Sequence, residues 1–133
     1  IEKRHRIEDA LEAVKAAKDE GIVPGGGVAL IRAVPNIRRP KSQRNVSCDI
    51  VWDAMCEPLR QMARNAGVSP DVTLEAVRKA KGNKGWDFTT EKIVDMIEEG
   101  VIDPMKVTRC ALQNAASVAG ALITSGYAIV EEE

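Results

Sequence analysis

The sequence predicts a mainly α-helical fold with one small β-hairpin and a terminal β-strand. Apolar residues recur at helical spacing along most of the chain, helix start and stop residues bracket those runs, and aromatic residues are scarce. Two Trp, one Tyr and one Phe among 133 residues leave Ile, Val, Leu, Met and Ala to fill the core, which favours closely packed helices. That length is about one domain's worth and buries a real core.

Taken in order, Ile7, Ala10, Leu11, Val14 and Ala17 share one face of a first helix, and Gly21 is placed to cap its C-terminus. After Pro24, the glycines Gly25, Gly26 and Gly27 lead into a short second helix, VALIRAV, whose first free amides are those of the glycine run. PNIRRPKSQR reads as a surface loop. A third helix begins near Asn45 with Val46, Ile50, Ala54 and Met55. Pro58 is expected to kink it or to start a new helix carrying Leu59, Met62 and Ala63, and Gly67 ends it. Ser69, Pro70 and Asp71 start a helix through Val72, Leu74 and Val77 that ends near Gly82. KGNKGWDFTTEK is the expected hairpin, followed by a brief helix around Ile93 to Ile97 stopped at Gly100. Asp103 and Pro104 open the last helix, whose stripe of Val107, Ala111, Ala115, Val118 and Leu122 is small enough for a close backbone approach. The tail YAIV reads as a single strand.

Nineteen basic and twenty acidic residues nearly cancel, so no global field recruits nucleic acid or an anionic membrane. Three scattered cysteines, Cys48, Cys56 and Cys110, fit reduced thiols in a cytoplasmic or equivalent reducing compartment, and no metal-ligand spacing occurs. Residues 111–130 carry no charge, but Gln113, Asn114, Ser117, Thr124 and Ser125 dilute their apolarity, so a membrane span is not expected.

Few residues invite chemistry. The glycine run lacks both the Lys-Ser/Thr of a phosphate loop and the third glycine of a dinucleotide fingerprint. It reads either as a packing turn or as a place where a ligand approaches backbone. Asp9 lies off the Ile7/Leu11/Val14 stripe, beside Ala13 and Ala16. It either answers the helix dipole, or orients a water or holds a magnesium-bound phosphate. Asp103 either caps its helix, accepts bonds from a ribose, or does both. The bases Arg38, Arg39, Lys41 and Arg44 lack interleaved aromatics and read as a solvated loop rather than a nucleic-acid site. Composition and periodicity alone leave open a non-enzymatic helical interaction module.

Three blocks in order, RIEDALEAVKAAKDEGIVPGGGVALIRA, EPLRQMARNAG and EEGVIDPMKVTRCALQNAASVAGALIT, resemble the group I chaperonins, the GroEL-like ATP-driven folding machines. The resemblance spans nearly all of the chain and weakens from Pro35 to Gln43 and from Val72 to Thr90. It implies the returning part of a subunit. Residues 1–20 would end the intermediate domain, and residues 21–133 would form the C-terminal half of the equatorial domain. The apical domain and the N-terminal equatorial half, with the phosphate loop and magnesium aspartate, are expected outside this stretch.

By that resemblance Asp9 matches the aspartate that positions the attacking water, Gly26, flanked by Gly25 and Gly27, the middle glycine contacting the nucleotide, and Asp103 the aspartate that binds the ribose hydroxyls. Asp87, Phe88 and Thr89 correspond to the adenine-side segment, with Val101 as an apolar neighbour. Many bacterial members carry Asn at the first of these positions and a small residue at the second. The implied cofactors are ATP, Mg2+ and K+, and this stretch alone is expected to be inactive. The implied partners are identical subunits in a ring, with unfolded clients and a co-chaperonin bound through the apical domain. Arg60 matches a basic residue of the contact between rings. Ser42 and Ser69 stand where bacterial relatives carry glutamates, which implies a weakened contact and a tendency towards single rings.

Overall fold

A computed structural model of the chain describes residues 2–36, 46–127 and 129. In chain order the elements are α1 (Glu2–Glu20), β1 (Ile22–Pro24), α2 (Val28–Ala33), a 3-10 turn (Val34–Asn36), α3 (Val46–Asn65), α4 (Pro70–Lys79), β2 (Lys84–Asp87), β3 (Lys92–Asp95), β4 (Ile102–Pro104) and α5 (Met105–Thr124). The mainly α-helical class and the hairpin are as expected. Residues 37–45 of the basic loop, Ser42 among them, lie outside the described residues, as do Ala128 and Val130 of the expected terminal strand, whose described residues Tyr127 and Ile129 are not in a strand. Two compact units emerge, one built on α1 and α5 and the other on Ile22–Asp103.

The Ile22–Asp103 unit holds the core. Val28 and Ile31 of α2, Cys56 and Leu59 of α3, Leu74 and Val77 of α4, and Met96 form one buried cluster, with Met62, Trp86, Phe88, Ile93 and Val94 packed around it. Each Leu, Val or Met taken fully from water contributes roughly 1.5–3 kcal/mol. The buried Thr73 keeps its hydroxyl satisfied by donating to Ser69 O at 2.9 Å.

Helix α3 runs through Pro58 as one element. Proline there has no N–H for the helix ladder, yet Leu59 and Ala63 just beyond it are almost fully buried, and their packing holds the downstream turns. The helix ends as Gly67 enters the left-handed region at φ 74°. Its N–H donates to Arg64 O at 3.1 Å while Val68 N–H donates to Ala63 O at 3.0 Å, the paired bonds of a Schellman ending.

The brief helix expected around Ile93 to Ile97 is not formed. Lys92–Asp95 is strand β3, antiparallel to β2, with Ile93 opposite Trp86 and Val94 opposite Gly85. A short apolar run does not distinguish helix from strand, and here two β-branched residues gain a cross-strand partner and a place on the core. A separate two-stranded sheet pairs β1 with β4, neither of which periodicity announces.

The unit of α1 and α5 is different in kind. Neither helix has a buried residue. Ile7 and Val14 remain 63% and 68% exposed, and Val118 and Leu122 60% and 70%, so both expected stripes exist without being covered among the described residues. Val46 and Ile50 of α3 are exposed in the same way. What joins α1 to α5 at one end is charge. Lys106 Nζ lies 2.6 Å from Asp19 Oδ2, and Arg109 Nε donates to Glu20 Oε2 at 2.9 Å while its Nη2 reaches Oε1.

Gly85 marks the tightest contact. A Cβ there would sit 2.4 Å from Val28 Cγ2 and 2.7 Å from Met96 Cγ, and both neighbours are fully buried. Gly85→Ala is expected to destabilise the protein by roughly 1–3 kcal/mol, read from the urea midpoint. An unchanged midpoint would contradict this packing.

Candidate functional site

The glycine run forms a turn whose shape only glycine accepts easily. Gly26 and Gly27 have φ of 64° and 75°, and Val28 N–H closes the turn on Gly25 O at 3.2 Å. The missing side chains are accounted for by the protein itself. A Cβ on Gly25 would lie 3.0 Å from Val101 O, one on Gly26 2.9 Å from Met96 Cε, and one on Gly27 3.2 Å from the Leu59 amide nitrogen. The amides divide differently. Gly25 N–H donates to Val101 O at 2.9 Å, whereas those of Gly26 and Gly27 donate to nothing among the described residues. Gly26 and Gly27 are both half-buried, so their amides are open to an acceptor from outside the described residues.

That Gly25 bond and the β1–β4 pairing bring the glycine run beside Val101 and the strand that carries Asp103. The sequence favoured Asp103 as the cap of the last helix. The structure corrects this: Asp103 lies within β4, Pro104 occupies the cap position, and no side chain caps the helix. The Asp103 carboxylate is exposed and accepts no hydrogen bond among the described residues, so both oxygens are available.

At the hairpin turn, Asp87 Oδ1 accepts from the Thr89 amide at 2.9 Å and Oδ2 from the Thr90 hydroxyl at 2.6 Å. The Thr90 bond first, and then the Thr89 bond, hold the Asp87 carboxyl below its ordinary value of 3.8. Each oxygen accepts one bond that shapes the turn. Phe88 packs against the buried cluster as a partly buried residue.

Asp9 belongs to the other unit. It shares a groove of about 770 Å³ with Ala13 and Ala16 of α1 and with Lys106, Val107, Cys110 and Ala111 of α5. The small face inferred from periodicity is real, and Asp9 itself is exposed with no ion pair among the described residues.

Arg60 is held inside its own chain. Its Nη1 donates to Glu57 Oε1 at 3.0 Å and its Nε lies 3.6 Å from Asp71 Oδ1. Ser69 precedes α4, and its carbonyl accepts from both the Thr73 amide and hydroxyl.

The sequence reading missed three charged groups. Lys106 and Arg109 find Asp19 and Glu20, and only an alignment of the two helices in space reveals those pairs. Arg32 of α2 donates from Nε to Gly82 O at 2.9 Å and from Nη2 to Lys84 O at 2.8 Å, with no sequence signal to mark it.

The chain belongs to the TCP-1/cpn60 chaperonin family, whose family model matches residues 2–133. Among solved structures it is similar to a group III chaperonin crystallised in the open state, at 31% identity and a TM-score of 0.76. That match covers 86% of this chain and 25% of the other, so the chain spans about a quarter of that relative's length. No helix among the described residues is long and apolar enough to cross a membrane.

Because Asp87 has a folded-state pKa below its ordinary value, its contribution to stability is present above about pH 4 and is lost as pH falls through the lowered value. Asp87→Asn is expected to shrink the loss of stability between pH 7 and acid, measured by urea midpoints across that range. A pH dependence identical to that of the parent would contradict the turn bonding.

Proposed function

We propose that the chain is the part of a ring-forming, ATP-hydrolysing chaperonin subunit that holds one side of the nucleotide. The carrying observation is the Gly25 N–H to Val101 O bond, which sets the glycine turn beside the strand of Asp103. The residues suit an adenine nucleotide. Gly26 and Gly27 offer N–H donors that nothing among the described residues accepts, and the exposed Asp103 offers two carboxylate oxygens for a pair of ribose hydroxyls. Val101 supplies apolar surface, and Asp87, Phe88 and Thr89 form the turn on the base side.

Asp9 takes the catalytic role. Its carboxylate accepts a hydrogen bond from the water that attacks the terminal phosphate, orienting a lone pair and receiving the proton. The small side chains of Ala13 and Ala16 leave the room this needs. Bound Mg2+ and K+ would supply charge neutralisation at the phosphates. By the family resemblance, most of the ligands for those ions lie in the rest of the subunit. This stretch alone is expected not to turn over ATP, since electrostatic stabilisation dominates phosphoryl transfer and the phosphate loop lies in the rest of the subunit. Identical subunits in a ring, unfolded clients and a co-chaperonin are the partners of the whole chain. The reducing interior of a cell or organelle is its compartment.

Asp9→Ala in the whole subunit is expected to bind ATP about as well as the parent and to hydrolyse it ~100-fold or more slowly, with binding and steady-state turnover measured in parallel. Unchanged turnover would leave Asp9 a solvated residue of α1, since its place in the third turn puts it beyond the reach of the helix dipole.

A further inference from the structure

We infer that Arg32 is a positioning residue for base recognition, holding the hairpin turn at its working distance from the glycine turn. The inference rests on the nucleotide reading above. Val28 and Arg32 stand one helical turn apart on the same side of α2. Val28 fills the space that Gly85 leaves, and Arg32 binds the carbonyls of Gly82 and Lys84. A short helix therefore meets strand β2 at two points, one apolar and one polar.

What those points separate gives them meaning. The glycine turn immediately precedes α2, and Asp87 ends β2, so the α2–β2 junction sets the distance between the two proposed nucleotide contacts. From the clamp at Lys84 to Asp87 is three residues of strand, about 10 Å at a rise of about 3.3 Å each. A small rotation at the clamp becomes a larger displacement at the turn. The planar guanidinium suits the task because its forked donors reach two carbonyls at once, which a lysine ammonium on a flexible stem does not. Asn83, between those two carbonyls, is fixed separately, since its own carbonyl accepts from Met96 N–H at 3.1 Å. Removing Arg32 should loosen the segment without dissolving it.

The base side alone should feel this change. In the whole subunit, equilibrium binding of ATP and of inorganic tripolyphosphate, each with magnesium, separates base recognition from phosphate recognition. The parent is expected to prefer ATP. Arg32→Met is expected to weaken ATP about tenfold while leaving tripolyphosphate unchanged, and Arg32→Lys to lose about threefold in the same ratio. A parental ratio in Arg32→Met, or an equal loss of both ligands, overturns the inference. Should the Met variant fail to fold, Arg32→Lys decides alone, and a parental ratio in it overturns the inference. A parent with no preference for ATP overturns the nucleotide reading itself, and this inference with it.

Discussion

Pairing β1 with β4 closes the Ile22–Asp103 segment on itself, and the candidate nucleotide contacts depend on that closure. Three-residue strands are weak alone, and bringing together segments so far apart in sequence costs chain entropy. The cost is met by the core between them, where α2, α3, α4 and the hairpin all contribute to one cluster around Leu59 and Met96. The Gly25 N–H to Val101 O bond extends that closure to the glycine turn. It needs glycine because a Cβ at Gly25 would press on the oxygen that accepts the bond. Structure and proposed function thus draw on the same residues. The glycines pack tightly, and their unused amides are what remains for a ligand.

Helices α1 and α5 obey a different balance. Lys106 and Arg109 lie near the N-terminus of α5, and Asp19 and Glu20 at the C-terminus of α1, each the wrong sign for its own helix dipole. Cross-helix pairing compensates both. The Arg109 bonds hold Glu20 below the ordinary carboxylate range, and the Asp19 bond raises Lys106. Such exposed pairs specify alignment more than they stabilise. The apolar stripes beside them stay largely in water, which in a stable assembly calls for a cover.

Much of the fold was legible because helices announce themselves locally. Gly21 and Gly67 end α1 and α3 in left-handed geometry, Pro70 opens α4, and the turn-rich segment before Lys92 does make a hairpin. Strands β1 and β4 were not legible, since neither is long enough to show alternation and each is defined by its partner. Ile93 and Val94 misled for the same reason, because only β2 tells them apart from a helical turn. Asp103 looked like a helix cap until Pro104 took that position, and what freed its carboxylate was a strand pairing invisible locally. Of the candidate site, the backbone role of the glycines could be read from composition alone. The neighbour they meet could not. Family resemblance supplied the roles proposed for Asp9 and Asp103, and spacing alone would have left both as ordinary helix-end acids.

The proposed nucleotide site stands or falls on the contact of Asp103, on β4, with a ribose beside the glycine turn. The most direct measurement compares the affinity of the whole subunit for ATP and for 2′,3′-dideoxy-ATP, in the parent and in Asp103→Ala. The parent is expected to prefer ATP, and the preference is expected to disappear in the variant while binding of the dideoxy nucleotide is unchanged. A preference that survives the loss of the carboxylate would contradict it.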